Sequence, residues 1–396
     1  MPRVSKDPAI ILIRNAAIDT GRLFIGRGQI LVREGRIEEV TAQTAPLVRA
    51  AGRVLDARGF LVAPGFIDIH VHGGGGYDTT DGTSMAIIKM AETFLKYGVT
   101  GLLPTIYPGP WRHMLTRIRA VADAMGLPGG QSVLGVNLEG PFLSAKQHGA
   151  LDPKFFRAPS VVDLEAMQEA AKGNLRLMTI APELDGAMEV IKAARRYNIR
   201  MAVGHSDATY EETLNGINAG ITHVTHTFNA MRRMHHRDPG VVGAALGTEE
   251  LYCEVVADGA HLHPQTLAVL LLAKPLSRVV LITDAVRQSG TQVSRFYADG
   301  RKAHKVGQTA YLEDGTIAGS LLTLNQAVAK MVGLHRLTEA DALRMASLHP
   351  ARAIHVDDRK GSLVAGKDAD LVILDEKFNV HLTMQGGKVV YRTKPF

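Results

Sequence analysis

The chain has 396 residues, 46% of them hydrophobic and 21% charged, a balance that supports a sizeable core and excludes disordered and fibrous classes. Its net charge of +6 is spread along the sequence with no aromatic-rich basic groove, so nucleic acid is not an expected partner, and a modest positive field suits a small anionic substrate instead. No apolar run reaches the roughly 18 residues that span a bilayer, the opening Met1–Asp7 segment lacks the apolar core of a secretion signal, and the lone Cys253 falls in an apolar stretch; a cytoplasmic enzyme without membrane contact, with Cys253 as buried core, is the expectation.

In chain order, residues 9–59 read as short antiparallel strands broken by turn signals at Arg27-Gly28, Glu34-Gly35 and Arg58-Gly59. From about residue 67 to 284, short Val/Ile/Leu-rich runs alternate with longer amphipathic stretches. The eight runs are Phe66–Val71, Thr100–Thr105, Val133–Leu138, Leu175–Ala181, Met201–His205, His223–His226, Leu251–Ala257 and Val279–Thr283. Helices are expected between them, for example Ser84–Tyr97 and Tyr210–Ala219, the latter opening after Ser206-Asp207-Ala208-Thr209 with good capping residues. Eight strands each followed by a helix make an α/β chain with a (β/α)8 TIM-like barrel. Ala369–Asp375 and Gly386–Tyr391 resume the style of the first sixty residues. A barrel takes about 250 residues, so the two termini are expected to join in a small β-sandwich domain: 1–60 plus 355–396, around a barrel at 61–354.

The chemistry gathers at the strand ends. His70 and His72, at i and i+2, leave one face of a strand together, and Gly73–Gly76 reads as a turn that lets backbone pass close by. Glu139, His205, His226 and Asp284 each follow an apolar run at the mouth where barrels of this kind keep their active sites. A single histidine there is more often hydrogen-bonded filler than a ligand; the whole set as filler is improbable. Two imidazoles and a carboxylate from Glu139, His205 and His226 suit Zn2+ or Fe2+ and leave a position for water. Bound to such an ion, water's pKa falls from about 15.7 to about 7. Taken alone, the basic run Arg232–Arg237 reads as a solvated loop.

Several stretches resemble the N-acetylglucosamine-6-phosphate deacetylases of the amidohydrolase superfamily: Pro64-Gly65-Phe66-Ile67-Asp68, Glu139-Gly140-Pro141-Phe142, Gly204-His205-Ser206, Thr227-Phe228-Asn229-Ala230-Met231, Asp258-Gly259-Ala260-His261, Thr283-Asp284-Ala285 and Ala318-Gly319-Ser320. The first of these, with Gly366–Val372, marks only the superfamily; Glu-Gly-Pro-Phe with Phe-Asn-Ala-Met narrows it to the deacetylases. The resemblance implies that Glu139, His205 and His226 are the principal metal ligands. It further implies a second ion position at His70 and His72, with Glu139 bridging and Asp284 contributing, so one or two ions per subunit remain open. Asp284 is implied to take the proton from water and pass it to the leaving amine. His261 is implied to contact the sugar, Arg237 with Asn229 and Ala230 the 6-phosphate, and Ala318-Gly319-Ser320 the acetamide. A homodimer with its phosphate pocket near the interface also follows from the resemblance.

One departure bears on the substrate. Where the family continues to Gly-Ala-His, this chain has Gly149-Ala150-Leu151, which exchanges a polar contact for an apolar wall. N-acetylgalactosamine 6-phosphate or an unphosphorylated acetylated amine therefore stands beside N-acetylglucosamine 6-phosphate as a substrate. Arg287–Lys305 also follows the family pattern loosely, and His148 is read as a solvated loop residue. A dihydroorotase-like chemistry is disfavoured because Leu175–Ala181 carries no lysine. A scaffold protein descended from the fold would usually have lost ligands that are all retained here.

Overall fold

The computed structural model describes residues 7–43, 51–298, 300–333 and 337–396. The expectation drawn from the opening segment falls almost wholly outside them. Strands β1 (Asp7–Asp19), β2 (Phe24–Arg33), β3 (Arg36–Ala42), β4 (Ala51–Asp56) and β5 (Leu61–Pro64) come first. Next are β6 (Phe66–Val71), a two-residue pair β7 (Gly73–Gly74) and β8 (Tyr77–Asp78), and then β9 (Val99–Ile106), β10 (Val136–Leu138), β11 (Leu175–Ile180), β12 (Arg200–Val203), β13 (Ile221–Val224), β14 (Tyr252–Val256) and β15 (Val279–Ile282). A small antiparallel sheet of β16 (Arg295–Ala298), β17 (Arg301–Val306), β18 (Thr309–Leu312) and β19 (Ile317–Ser320) follows, and β20 (Leu371–Leu374), β21 (Val380–Gln385) and β22 (Lys388–Arg392) end the chain.

The eight parallel strands lie side by side in the order β15-β14-β13-β12-β11-β10-β9-β6, the sheet of a (β/α)8 barrel. Strands such as β6 and β15 are buried at every position, as a parallel sheet covered on both faces requires. The third strand is shorter than its apolar run. Gly135 takes φ +150, and a Cβ there would stand 2.3 Å from Arg176 Cγ, so the ladder breaks and Val133 keeps only a bridge to Leu102. The seam between the first and last strands closes beyond the formal end of β15. Asp284 N–H donates to the His70 carbonyl (2.9 Å), and His72 N–H to the Ala285 carbonyl (2.8 Å). Beneath the seam the Thr283 hydroxyl donates to Asp68 (2.5 Å), whose carboxyl burial pushes up to about 7.

The terminal strands build one continuous eight-stranded sheet, ordered β22-β21-β20-β5-β1-β2-β3 with β4 also on β1. The expected sandwich takes this form because β1 is long enough for one edge to serve two partners, β4 through Ile11–Arg14 and β5 through Ala17–Ile18. Its core includes Ile13, Ile18, Ile30, Val62, Leu371 and Leu382, each worth about 1.5–3 kcal/mol on full burial. Contacts divide the chain into two compact units, Met1–Ile67 with Phe94–Gly101 and Leu324–Phe396, and Asp68–Thr93 with Leu102–Thr323. The partition expected from sequence had assigned helices Leu324–Val332, Glu339–Ala346 and Leu348–Ala353 to the barrel.

Helix Tyr210–Ala219 starts where its caps predict. Glu212 N–H donates to the Thr209 hydroxyl (3.1 Å) and Thr209 N–H to the Glu212 carboxylate (2.8 Å), a reciprocal capping box. Cys253 is buried, which pushes its thiol up to about 11 and makes it inert core. Among the described residues no helix is long and apolar enough to cross a membrane.

Candidate metal centre and cleft

Three strands end in the same way. His205 follows β12, His226 follows β13 and Asp284 follows β15, each two residues past the last strand position and each with left-handed backbone, at φ +46, +26 and +50. Such a conformation costs a non-glycine residue about 1–3 kcal/mol and persists only where the surroundings enforce it. Phe228 and Ala230, just beyond His226, share it at φ +78 and +48. Here it stops the ladder and sets these side chains at the mouth. His70 and His72 need no such turn, because both lie on or directly after regular β6 and share a face by its period of two.

Glu139, at the end of β10, is the hub. His205 Nε2 and His226 Nε2 stand 3.0 and 2.9 Å from its Oε1, and His72 Nε2 stands 3.4 Å from its Oε2. His70 Nε2 lies 3.8 Å from both Glu139 Oε1 and Asp284 Oδ1. Two ligands about 2.1 Å from one tetrahedral ion are about 3.4 Å apart, so these separations suit shared ions. Glu139 with His205 and His226 forms one potential ligand group, and Glu139 with His70 and His72 a second, all of them buried. The His70 Nε2 atom is buried without a hydrogen-bond partner and points toward two carboxylates, the condition of a ligand atom whose partner is an ion.

Charge follows this geometry. Burial disfavours a charged His70, yet the hydrogen bond to Glu254 and the charges of Glu254, Glu139 and Asp284 outweigh it and push the ring up to about 10. Burial likewise disfavours ionised Glu139 and Asp284. His205 and His226 nevertheless hold Glu139 well below the usual carboxylate range, and His261 and His72 do the same for Asp284. His261 Nδ1–H donates to Asp258 Oδ2 (2.8 Å), so its Nε2 faces Asp284 Oδ2 at 3.5 Å. Despite burial, Asp258 and Asp284 push His261 up to about 9.

The model of the amidohydrolase family matches residues 61–390. The chain belongs to the amidohydrolase family. Among its relatives is an N-acetylglucosamine-6-phosphate deacetylase of Bacillus subtilis, 35% identical over 97% of this chain and 98% of that one. An N-acetylgalactosamine-6-phosphate deacetylase of Escherichia coli is also 35% identical, over 89% of this chain and 95% of its own. A mutant N-acetyl-D-glucosamine-6-phosphate deacetylase of Mycobacterium smegmatis, solved with N-acetyl-D-glucosamine-6-phosphate, superposes with a TM-score of 0.90 at 30% identity, covering 97% of this chain and 100% of that one. Amidohydrolases depend on divalent metal, and the buried His/His/Glu groups of this member fit that chemistry.

A cleft of about 600 Å³ opens over the amidohydrolase centre. His72, Glu139, His205, His226, His261 and Asp284 line it, and so do Asn229, Ala230, Ala318 and Gly319. Leu151 supplies the apolar wall, and Gly149 passes so close that a Cβ there would stand 3.4 Å from His205 Cε1. Two expected substrate contacts stand elsewhere. Ser320 is buried behind Asp284, its N–H on the Asp284 carbonyl (2.7 Å), so it braces that residue instead of facing substrate. Arg237 is exposed, donates to His236 Nε2 (2.8 Å) and is not among the lining residues of its own cleft. His148 is exposed, as read from the sequence.

Sequence reasoning passed over Glu254, Asp258 and the rim residues Tyr107, Tyr297 and Arg301. For Glu254 a signal existed: it is the one charged residue in the otherwise apolar β14. Tyr107 directly follows barrel strand β9, which was a signal too; for Tyr297 and Arg301 there was none, because hairpin positions carry no period that points at a distant centre.

Proposed function

We propose that this chain hydrolyses the acetamide of N-acetyl-D-glucosamine 6-phosphate to D-glucosamine 6-phosphate and acetate. The observation that carries the reading is the meeting of Glu139, His205 and His226 with Asp284 at the floor of one cleft. A bound Zn2+ or Fe2+, at the Glu139/His205/His226 position and at His70/His72 when a second ion is present, supplies Lewis acidity that makes hydroxide accessible near neutral pH and polarises a carbonyl. Asp284 is held ionised, so it can accept the proton of the attacking water and deliver it to the amine nitrogen once that nitrogen becomes the stronger base. His261, fixed through Asp258, directs Nε2 toward the same place and serves as the contact to sugar or carbonyl.

Phosphate recognition is assigned to Asn229, Ala230 and Arg237, with the acetamide against Ala318 and Gly319 and Ser320 behind them. The deacetylases resembled pair a homodimer with a phosphate pocket near the interface, and an Arg237 that stands outside its own cleft fits a contribution to the neighbouring copy. A charged hydrogen bond is worth roughly 1.5–3 kcal/mol, so Arg237→Ala is expected to lower kcat/KM for a phosphorylated sugar by about one to two decades. The deciding assay is acetate release across N-acetylglucosamine, N-acetylgalactosamine and their 6-phosphates. N-acetylgalactosamine 6-phosphate is the second reading, supported by the equally similar Escherichia coli relative and by Leu151 in place of the family's histidine. Absence of turnover on all four by metal-loaded protein would overturn both.

A further inference from the structure

Three of the four ligand histidines are braced from behind, two by a backbone carbonyl and one by a carboxylate. His72 Nδ1–H donates to the Thr105 carbonyl (3.1 Å) and His205 Nδ1–H to the Gln147 carbonyl (2.9 Å). His226 Nδ1 is buried without a partner. Only His70 is backed by a carboxylate, Glu254 Oε2, at 3.0 Å. A carbonyl or carboxylate oxygen accepts the Nδ1 proton, so in each braced ring Nε2 is the nitrogen aimed at the centre, its lone pair available to an ion once any second proton leaves.

We propose that Glu254 is a positioning residue that commits His70 to a second metal ion, and so makes this chain a two-ion enzyme. Three features carry this. First, Glu254 is fully buried in the middle of β14, where an apolar residue of similar volume would avoid the desolvation of a charge. Second, its Oε2 also accepts the His226 N–H (3.2 Å), so one carboxylate fixes a ring of the second ligand group and the backbone of a ligand in the first. Third, Glu254 Oε1 and His70 Nε2 are both buried without hydrogen-bond partners. A carboxylate serving only to satisfy a filler histidine would not leave that ring's far nitrogen idle between Glu139 and Asp284. A carboxylate behind a ligand imidazole makes the ring a stronger donor, and losing such a brace typically costs about 10–100-fold in metal affinity.

The inference rests on the metal-dependent reading above, and metal counts judge it separately from activity. Full-length protein is stripped with chelator and titrated with Zn2+, the stoichiometry being read by elemental analysis and affinities by competition with a chromophoric chelator. Wild type is expected to bind two ions per chain. Glu254→Met is expected to lose the second ion while the Glu139/His205/His226 position, which loses only the bond to the His226 N–H, keeps its ion with a much smaller drop in affinity. Glu254→Gln keeps an acceptor for Nδ1–H but no charge, and is expected to retain both ions with the weaker one about 10–100-fold weaker still. The idea is overturned by a wild type that binds a single ion, by Glu254→Met binding two with wild-type affinities, or by folded Glu254→Met losing both ions equally. Should Glu254→Met fail to fold, an unchanged second affinity in Glu254→Gln overturns it. Two ions bound without deacetylation of any sugar would instead overturn the activity while leaving the role of Glu254 supported.

Discussion

The two halves of the centre are built by opposite means. His205 and His226 reach it from turns, each in a backbone conformation that β-branched and most other residues avoid. His70 and His72 reach it from a regular strand that would present the same face wherever it lay. The turn-built half depends on its surroundings to hold the strain, while the strand-built half depends on its rear contacts, Thr105 and Glu254. Position comes from left-handed turns in one half and from regular strand geometry, with Glu254 as the side-chain brace, in the other.

Asp284 lies 3.2 Å from His72 in the strand-built half and is the proposed base, so its loss should be felt most. Asp284→Asn is expected to lower kcat by roughly 10²–10⁴-fold with little change in KM, measured by acetate release on metal-loaded protein. A smaller loss would mean that neither half relies on it as base. The halves themselves separate by metal content. His205→Ala should empty the Glu139/His205/His226 position, whereas His72→Ala should remove only the second ion; a His72→Ala protein stripped of both would show that the halves are one unit.

A pH experiment sharpens the contrast at the strand-built half. With its pKa raised from 6.5 to about 10, metal-free His70 contributes stability that is complete below about pH 6.5 and fades as pH rises through about 10. The stripped protein should therefore lose thermal stability between pH 7 and 10. Over the same interval a second ion must displace the one extra proton on His70, so its apparent affinity should climb by up to about tenfold per pH unit. A pH-independent affinity would place that ion elsewhere. Smallest is a change outside the centre: Thr209→Ala removes one partner of the capping box after the His205 turn and should cost about 1 kcal/mol by denaturant titration, with metal content unchanged.

Much of this was legible because a parallel barrel writes itself plainly. Its strands are buried on both faces and read as apolar runs, and its catalytic residues stand where those runs stop. That rule points to Glu139, His205, His226 and Asp284, which the structure gathers at one cleft, and passes over Glu254, which lies inside a strand. The broken third strand was hidden because Gly135 is shaped by Arg176, forty-one residues on. Ser320 and Arg237 show the reach of a motif: it does not tell that Ser320 is buried behind Asp284 or that Arg237 stands exposed outside the cleft lining. The continuous terminal sheet depended on β1 sharing one edge between two partners, a matter of length and register that composition does not carry.

The seam at which Asp284 N–H meets the His70 carbonyl also sets a timetable. A nascent chain emerging from the ribosome can finish all but the last barrel strand and still lack Asp284, the proposed proton acceptor, and both closing bonds to residues 70 and 72. Catalytic competence should arrive abruptly, when residues 284 and 285 dock beside residues 70 to 72, and a product truncated just before that point should be inert however much of its helix and sheet has formed.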